Sequence, residues 1–225
     1  MAAENFKLAI GLPLVDSKVH SQFLDSWVTL QKPAFVYCRP MFPTGFAGDI
    51  AVVRNDIVEQ AIGRGCTHLL FMDTDQTYPP DMIERLVSHD KDIVGAKVHI
   101  RYPPFHPTLF KYDSDVDDYY IVPDSEWRVP QLMEVEATGT GCILIKTDVF
   151  LNIEYPWFEF TKNKDGKIVG EDISFCRKVR SAGYKIYVDT SINCGHIGTL
   201  EVNAGTYWVH KQLGLVKDNG NDKEK

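Results

Sequence analysis

Residues 68–72, HLLFM, form a short apolar run that stops on Asp73-Thr74-Asp75 and is followed by Pro79-Pro80. A run this short, bounded by turn signals, reads as a strand buried on both faces. Such a strand belongs in a sheet covered by helices on either side, and it delivers two carboxylates at its carboxyl end. In open α/β sheets that end is where ligands bind.

The flanking segments agree. Residues 7–12 predict a first strand ending at Pro13, 17–30 a helix and 34–38 a second strand. Ile50, Val53, Ile57 and Ala61 recur at helical spacing before Gly63 and Gly65, Pro79-Pro80 opens a helix over 81–88, and 93–97 reads as a strand. Strand and helix alternate, which predicts an α/β three-layer sandwich with a mostly parallel central sheet flanked by helices. Residues 101–130 are rich in proline, tyrosine and aspartate with weak periodicity, and are expected to be an irregular functional loop or lid. Order returns with a strand at 142–146, a short helix at 147–152, a helix from Ile173 to near Gly183, a final strand at 185–188 and a helix at 204–213. A single domain is expected over 1–216, with a polar tail, KDNGNDKEK, over 217–225.

Bulk properties exclude several classes. The net charge of −7 gives no global pull toward nucleic acid or anionic lipid, so a polyanionic ligand needs a local basic patch or a bound cation. The five cysteines are odd in number and lack CxxC spacing, which argues against a disulfide framework or thiolate zinc and fits a cytoplasmic setting. No stretch approaches the ~20 apolar residues of a membrane span, and the N-terminus lacks the basic region of a signal peptide.

Asp73 and Asp75 repel each other unless a cation intervenes. Mn2+ or Mg2+ would do this and keep positions open for phosphate oxygens; the same residues also suit a turn or a helix cap. Glu171 and Asp172 follow Gly170 at the start of a helix. There they serve either as dipole and capping residues or as carboxylates projecting into a site, one as a general base. His196 lies between Gly195 and Gly198 after the last predicted strand, where the backbone can bend sharply, and neutral imidazole is a common cation ligand. A lone histidine is more often an ordinary surface or core residue. Gly139, Thr140 and Gly141 let backbone approach a ligand closely, or make a tight turn into the next strand. Arg54-Asn55 reads as a solvated helix face, as a cationic contact to a diphosphate, or as an ordering group beside the DxD strand. Trp157, in Pro156-Trp157-Phe158, is partly core or a sugar-stacking wall.

The ordered set of Arg-Asn helix, LLFMDTD, GTGCILIKTDVF, PWF, GEDISFCRKVRSAGYKIYVD and CGHIG resembles the GT-A glycosyltransferases, especially family-2-like ones, over roughly residues 7–198. That resemblance implies a GT-A fold, a metal-dependent transferase and a nucleotide-sugar donor, UDP-sugar by default. Carried over by motif, Asp73, Asp75 and His196 would hold the metal, with Asp75 the direct ligand and Asp73 shared with the nucleotide ribose. Asp172, beside Glu171, would be the base of an inverting enzyme, a stereochemistry slightly favoured over retention. Pro13, Arg54, Asp73, Thr74, Gly139, Thr140, Gly141 and Trp157 would bind the nucleotide-sugar. Many relatives carry an acidic residue that reads uracil near the end of the second strand. Here Tyr37-Cys38-Arg39-Pro40 supplies none, and Asp16 lies after the first strand instead.

The acceptor is open among a glycan, a lipid-linked sugar and a modified nucleic acid. A locally basic second half (Lys162, Lys164, Lys167, Arg177, Lys178, Arg180) admits a phosphate-bearing one. Two other readings stand beside this. A sugar-phosphate nucleotidyltransferase would need a glycine-rich basic loop after the first strand, which GLPLVDSKVH lacks. An inactive sugar-binding protein would not need the full set of acids and His196.

Overall fold

The computed structural model describes residues 6–15, 18–41, 49–199 and 203–214. In chain order the first half runs β1 (Leu8–Gly11), α1 (Ser21–Thr29), β2 (Phe35–Cys38), α2 (Ile50–Gly63), β3 (His68–Met72), β4 (Gln76–Thr77), α3 (Met82–Ser88) and β5 (Ile93–Val98). The middle holds β6 (Leu109–Asp113), β7 (Asp118–Ile121), α4 (Asp124–Trp127), β8 (Leu132–Val135), β9 (Ala137–Thr138), β10 (Cys142–Lys146) and α5 (Thr147–Leu151). The chain then forms β11 (Thr161–Lys162), β12 (Ile168–Val169), α6 (Glu171–Ser181), β13 (Ile186–His196) and α7 (Ala204–Gln212). Asp16 and the 217–225 tail lie outside the described residues.

The central sheet has the order β2-β1-β3-β10-β5-β13-β4, with β8 paired to β13. β1 is parallel to β2 and β3, and β5 is parallel to β13; β10, between β3 and β5, runs antiparallel to both. The strand at 142–146 is thus where the sequence puts it. Its reversed direction follows from the long path between β5 and β10, which local periodicity does not encode. The reversal matters for the site, because Cys142 pairs with Met72 and the small-residue segment before it lands at the carboxyl end of β3.

β3 is buried on both faces, as its composition predicts. Leu69 and Phe71 pack with Val53, Ile57 and Ala61 of α2 and with Phe150, Phe158 and Phe175. Leu70 and Met72 face the other way, toward Phe23 of α1 and Met82, Ile83 and Leu86 of α3. Helices therefore cover both sides of the sheet. Among the described residues no helix is long and apolar enough to cross a membrane. All five cysteines are free and buried.

Three expectations are corrected. Residues 101–130 are not irregular throughout: β6 pairs with β7 and with β9 in a second sheet, and α4 follows. A cross-strand tyrosine pair stabilises the hairpin, Tyr112 facing Tyr119 with ring centroids 5.2 Å apart. The last strand does not end at Val188 but continues past a bulge between Asp189 and Asn193 to His196, where it pairs with β4. Gly195 is needed not for a sharp bend but for that pairing, since a Cβ there would lie 2.4 Å from the Thr77 hydroxyl. Finally, Arg54 and Asn55 do not form a solvated face; they are 3% and 6% exposed.

Asn55 ties α2 to the segment after α5. Its amide donates to the Phe158 carbonyl at 2.8 Å and accepts from the Phe158 N–H at 3.0 Å. Phe158 in turn stacks on Phe175 at 4.6 Å and meets Phe71 edge-on at 5.5 Å. Removing this amide strands two buried backbone groups. Asn55→Ala is expected to cost about 2–4 kcal/mol, read as a lower midpoint in urea unfolding; an unchanged midpoint would contradict the role.

Candidate active site

β3 ends at Met72 and the chain turns at once. The Asp73 N–H donates to the Gly141 carbonyl at 2.9 Å, and the buried Tyr78 hydroxyl lies 2.7 Å from the Asp73 carbonyl and 3.0 Å from that of Gly141. This pins the β3 exit to the β10 entry. Gly141 is required by close approach: a Cβ would sit 2.0 Å from the Gln76 amide nitrogen and 2.7 Å from Asp73 Oδ2. The glycine therefore makes room for two side chains of the site itself.

The turn separates the two carboxylates. Asp73 faces inward, where Arg54 Nη2 reaches its oxygens at 3.1 and 3.3 Å; Arg54 Nε lies 3.4 Å from Glu171 Oε1. The guanidinium sits over the Phe71 ring, 5.3 Å from its centroid. Burial works against the Arg54 charge, but Asp73 and Glu171 outweigh it and raise its pKa. Glu171 is thus an ion-pair partner rather than a helix cap, and α6 has no side-chain cap at Gly170.

Asp75 faces the other way. Its Oδ2 accepts from Arg101 Nη1 at 2.8 Å and lies 3.4 Å from His196 Nε2. The His196 Nδ1 is 2.8 Å from the His99 carbonyl, and the Ile197 N–H donates to the Asp75 carbonyl at 2.7 Å. Burial would raise the Asp75 carboxyl, but the His196 contact and the Arg101 charge outweigh it and lower it; the same contact raises the His196 pKa.

Asp172 sits at the N-terminus of α6, next to Glu171 and within reach of the Arg54 and Asp73 charges. One oxygen accepts the Ile173 N–H at 2.7 Å. Gly170 leaves space for it, since a Cβ there would come 2.9 Å from Asp172 Oδ1. Burial first, and the neighbouring Glu171 charge second, lift the Asp172 carboxyl to about 6. That is a value suited to accepting a proton near neutrality.

A cleft of about 400 Å³ opens over the Arg54 pair and Asp75; His196 and Asp172 stand behind its lining rather than in it. Pro13, Arg54, Asp73, Thr74, Asp75 and Glu171 line it, as does a set that sequence reading missed: Val15, Lys18, His20, Ile50 and Arg101. Trp157 is not brought to it. Its indole N–H donates to the Phe150 carbonyl at 2.8 Å and its ring packs on Phe150 and Tyr155. Gly139 faces Thr108. Thr140 is 2% exposed and its hydroxyl has no partner among the described residues, nor do Gln76 Oε1 and Arg54 Nη1. The basic second half is largely ion-paired: Lys178 with Glu159, Arg180 with Glu136, and Lys164 and Arg177 with Asp117.

Asp73, Asp75 and His196 do not converge as one three-donor cage; among the described residues no cluster of three or more His, Cys, Asp or Glu does so. A two-donor seat fits a divalent cation better. Cis ligands of one octahedral ion stand about 3 Å apart, close to the 3.4 Å between Asp75 Oδ2 and His196 Nε2. The His99 carbonyl accepts a hydrogen bond from the His196 Nδ1–H, which leaves Nε2 with its lone pair on the side of Asp75.

The family model Anp1 matches residues 48–117, less than half of the chain but including α2, the Asp73–Asp75 turn and Arg101. No curated protein sequence matches. Among solved structures, A197 from STIV superposes with a TM-score of 0.58 at 16% identity, over 86% of this chain and 87% of its own. GalNAc-T7, crystallised with UDP, GalNAc and Mn2+, superposes with a TM-score of 0.57 at 12% identity, over 88% of this chain. This chain spans 45% of GalNAc-T7. The fold is the GT-A glycosyltransferase fold.

Arg54 holds two acids in a buried setting, so its loss leaves uncompensated charge. Arg54→Met is expected to cost about 3–5 kcal/mol in denaturant unfolding, and adding Asp73→Asn with Glu171→Gln should restore much of it. No loss in the single variant would show that the pair is unimportant to folding.

Proposed function

We propose that this chain is a metal-dependent glycosyltransferase that moves a sugar from a nucleotide-diphosphate donor, UDP-sugar by default, to an acceptor hydroxyl. One juxtaposition carries the reading: Asp73, which opens the turn leading to the Asp75–His196 pair, shares the Arg54–Glu171 neighbourhood with Asp172, whose carboxyl is lifted to about 6. The GT-A fold and the UDP, GalNAc and Mn2+ bound by the similar GalNAc-T7 support it.

Asp75 and His196 would hold Mn2+ or Mg2+. A cation there supplies charge against the leaving diphosphate. Asp73, fixed by Arg54, offers acceptor oxygens to the ribose rather than to the ion. Pro13 and Thr74 line the donor cleft, and the backbone of 139–141 borders its sugar end. Asp172 takes the proton of the attacking hydroxyl, which makes the reaction inverting. Glu171 keeps Arg54 in register and adds negative charge that holds Asp172 basic. The described elements act together as one domain.

A thermal-shift screen of nucleotide-sugars with and without Mn2+ tests the donor. A UDP-sugar should raise the melting temperature only with the cation, and Asp75→Ala should abolish the rise. Stabilisation by no nucleotide-sugar in Mn2+ would sink the reading.

Asp172 gives a separate test. As a base it works deprotonated, so turnover should climb with pH through about 6, and Asp172→Asn should lower kcat by roughly 10²-fold or more while binding UDP-sugar normally. The same shift has a stability consequence of opposite sense. A carboxyl raised from 3.8 to about 6 binds its proton more tightly in the folded state, so its contribution favours folding at low pH and is lost as pH rises through that window. Asp172→Asn should therefore gain roughly 1–3 kcal/mol over the native protein at pH 7 and little at pH 4. Near-normal turnover in this variant would remove Asp172 from the mechanism.

A further inference from the structure

We propose that Arg101 is the cation that guards the metal seat when it is empty and binds the donor's diphosphate when it is filled. This rests on the reading of Asp75 and His196 as a cation site.

Two groups compete for one atom. Arg101 Nη1 is 2.8 Å from Asp75 Oδ2, the same oxygen that faces His196 Nε2 at 3.4 Å. A divalent ion seated between Asp75 and His196 would stand next to the guanidinium, and like charges at that range repel. The side chain is free to yield. It is 41% exposed, and its other recorded contact is the Tyr102 ring, 5.6 Å away.

Its backbone is held in place. His99, two residues earlier, accepts from the His196 ring, and a Cβ at Gly198 would come 3.1 Å from the Arg101 carbonyl. A displaced guanidinium therefore stays in the cleft that it lines together with Asp73, Thr74 and Asp75.

The diphosphate needs a donor there. Arg54 is buried with Nη2 committed to Asp73 and Nε to Glu171, so of its three nitrogens Nη1 is left for a phosphate. Lys18 and His20 also line the cleft, but neither is recorded in contact with the metal carboxylate. Among the described residues of the cleft, Arg101 is the cation that both touches Asp75 and, on leaving it, can meet phosphate with a planar fork of N–H donors. Cation and nucleotide then help each other bind, because the ion releases the residue that the diphosphate uses.

Calorimetric titration of Mn2+ alone, and of UDP at saturating Mn2+, reads the two roles separately. Arg101→Ala should bind Mn2+ alone about twofold to fivefold more tightly, since an exposed competing ion pair is gone. It should bind UDP with Mn2+ about tenfold or more weakly, having lost a charge-assisted bond. Arg101→Lys, which keeps the charge without the fork, should fall between. Opposite signs in one variant are the supporting result. Affinities that fall together, or that both stay unchanged, would overturn the proposal while leaving the native protein's cation-dependent binding intact. A native protein that binds no Mn2+ would overturn the functional reading and this proposal with it.

Discussion

The site depends on one buried guanidinium. Arg54 comes from the middle of α2 and meets Asp73, where β3 ends, and Glu171, where α6 begins. Three elements distant in sequence are thereby brought to one point. The arrangement needs arginine, because Nε and Nη2 leave the planar group in different directions, whereas a lysine ammonium would offer a single centre. A buried ion pair of this kind adds little net stability over a well-packed apolar cluster, but it is costly to break. Its structural value is that it admits one geometry: with Arg54 over Phe71, both acids are fixed relative to the sheet.

From that anchor the two aspartates of the DxD turn acquire separate partners. Residues two apart on a strand would point to the same side, but β3 stops at Met72 and Asp73-Thr74-Asp75 is a turn. Asp73 is consumed inward by Arg54, and Asp75 is left at the mouth with His196 and Arg101. Asp172 is held basic by its burial first and by the neighbouring Glu171 charge second. One turn thus divides an inward, ion-paired acid from an acid at the mouth of the cleft.

Much of the frame is legible in the residues. β3 and β10 coincide with their apolar runs, 68–72 and 142–146, α3 and α6 begin at recognisable signals, and α2 ends at one, Gly63. What escapes reading is what distant chain decides. Arg54 and Asn55 look solvated by type, yet α2 is covered on several sides, with Ala51, Val53, Ile57, Val58 and Ala61 also buried. Lys18, His20 and Arg101 carry no motif, and Arg101 meets Asp75 only because β5 and β13 end side by side. The strand reaching His196 was obscured by its bulge, and the β6–β7 hairpin by aspartates and tyrosines without clean alternation. Trp157 illustrates the opposite error. Aromatic type suggests a sugar platform, while its indole hydrogen bond to Phe150 makes it a packing residue.

The reversed strand β10 has a consequence for how this chain can be cut. Everything up to β5 contains the Arg54, Asp73 and Asp75 side chains, yet β3 and β5 do not touch; the gap between them is filled by a strand that arrives more than forty residues after β5 ends. A fragment ending there would present two open sheet edges to solvent, each inviting another chain. It would also lack the Gly141 carbonyl that receives the Asp73 N–H. The amino-terminal half is therefore a set of parts rather than a module. Genetic rearrangements could trade loops between proteins of this fold, but a crossover between β5 and β10 would have to preserve the strand that closes the sheet.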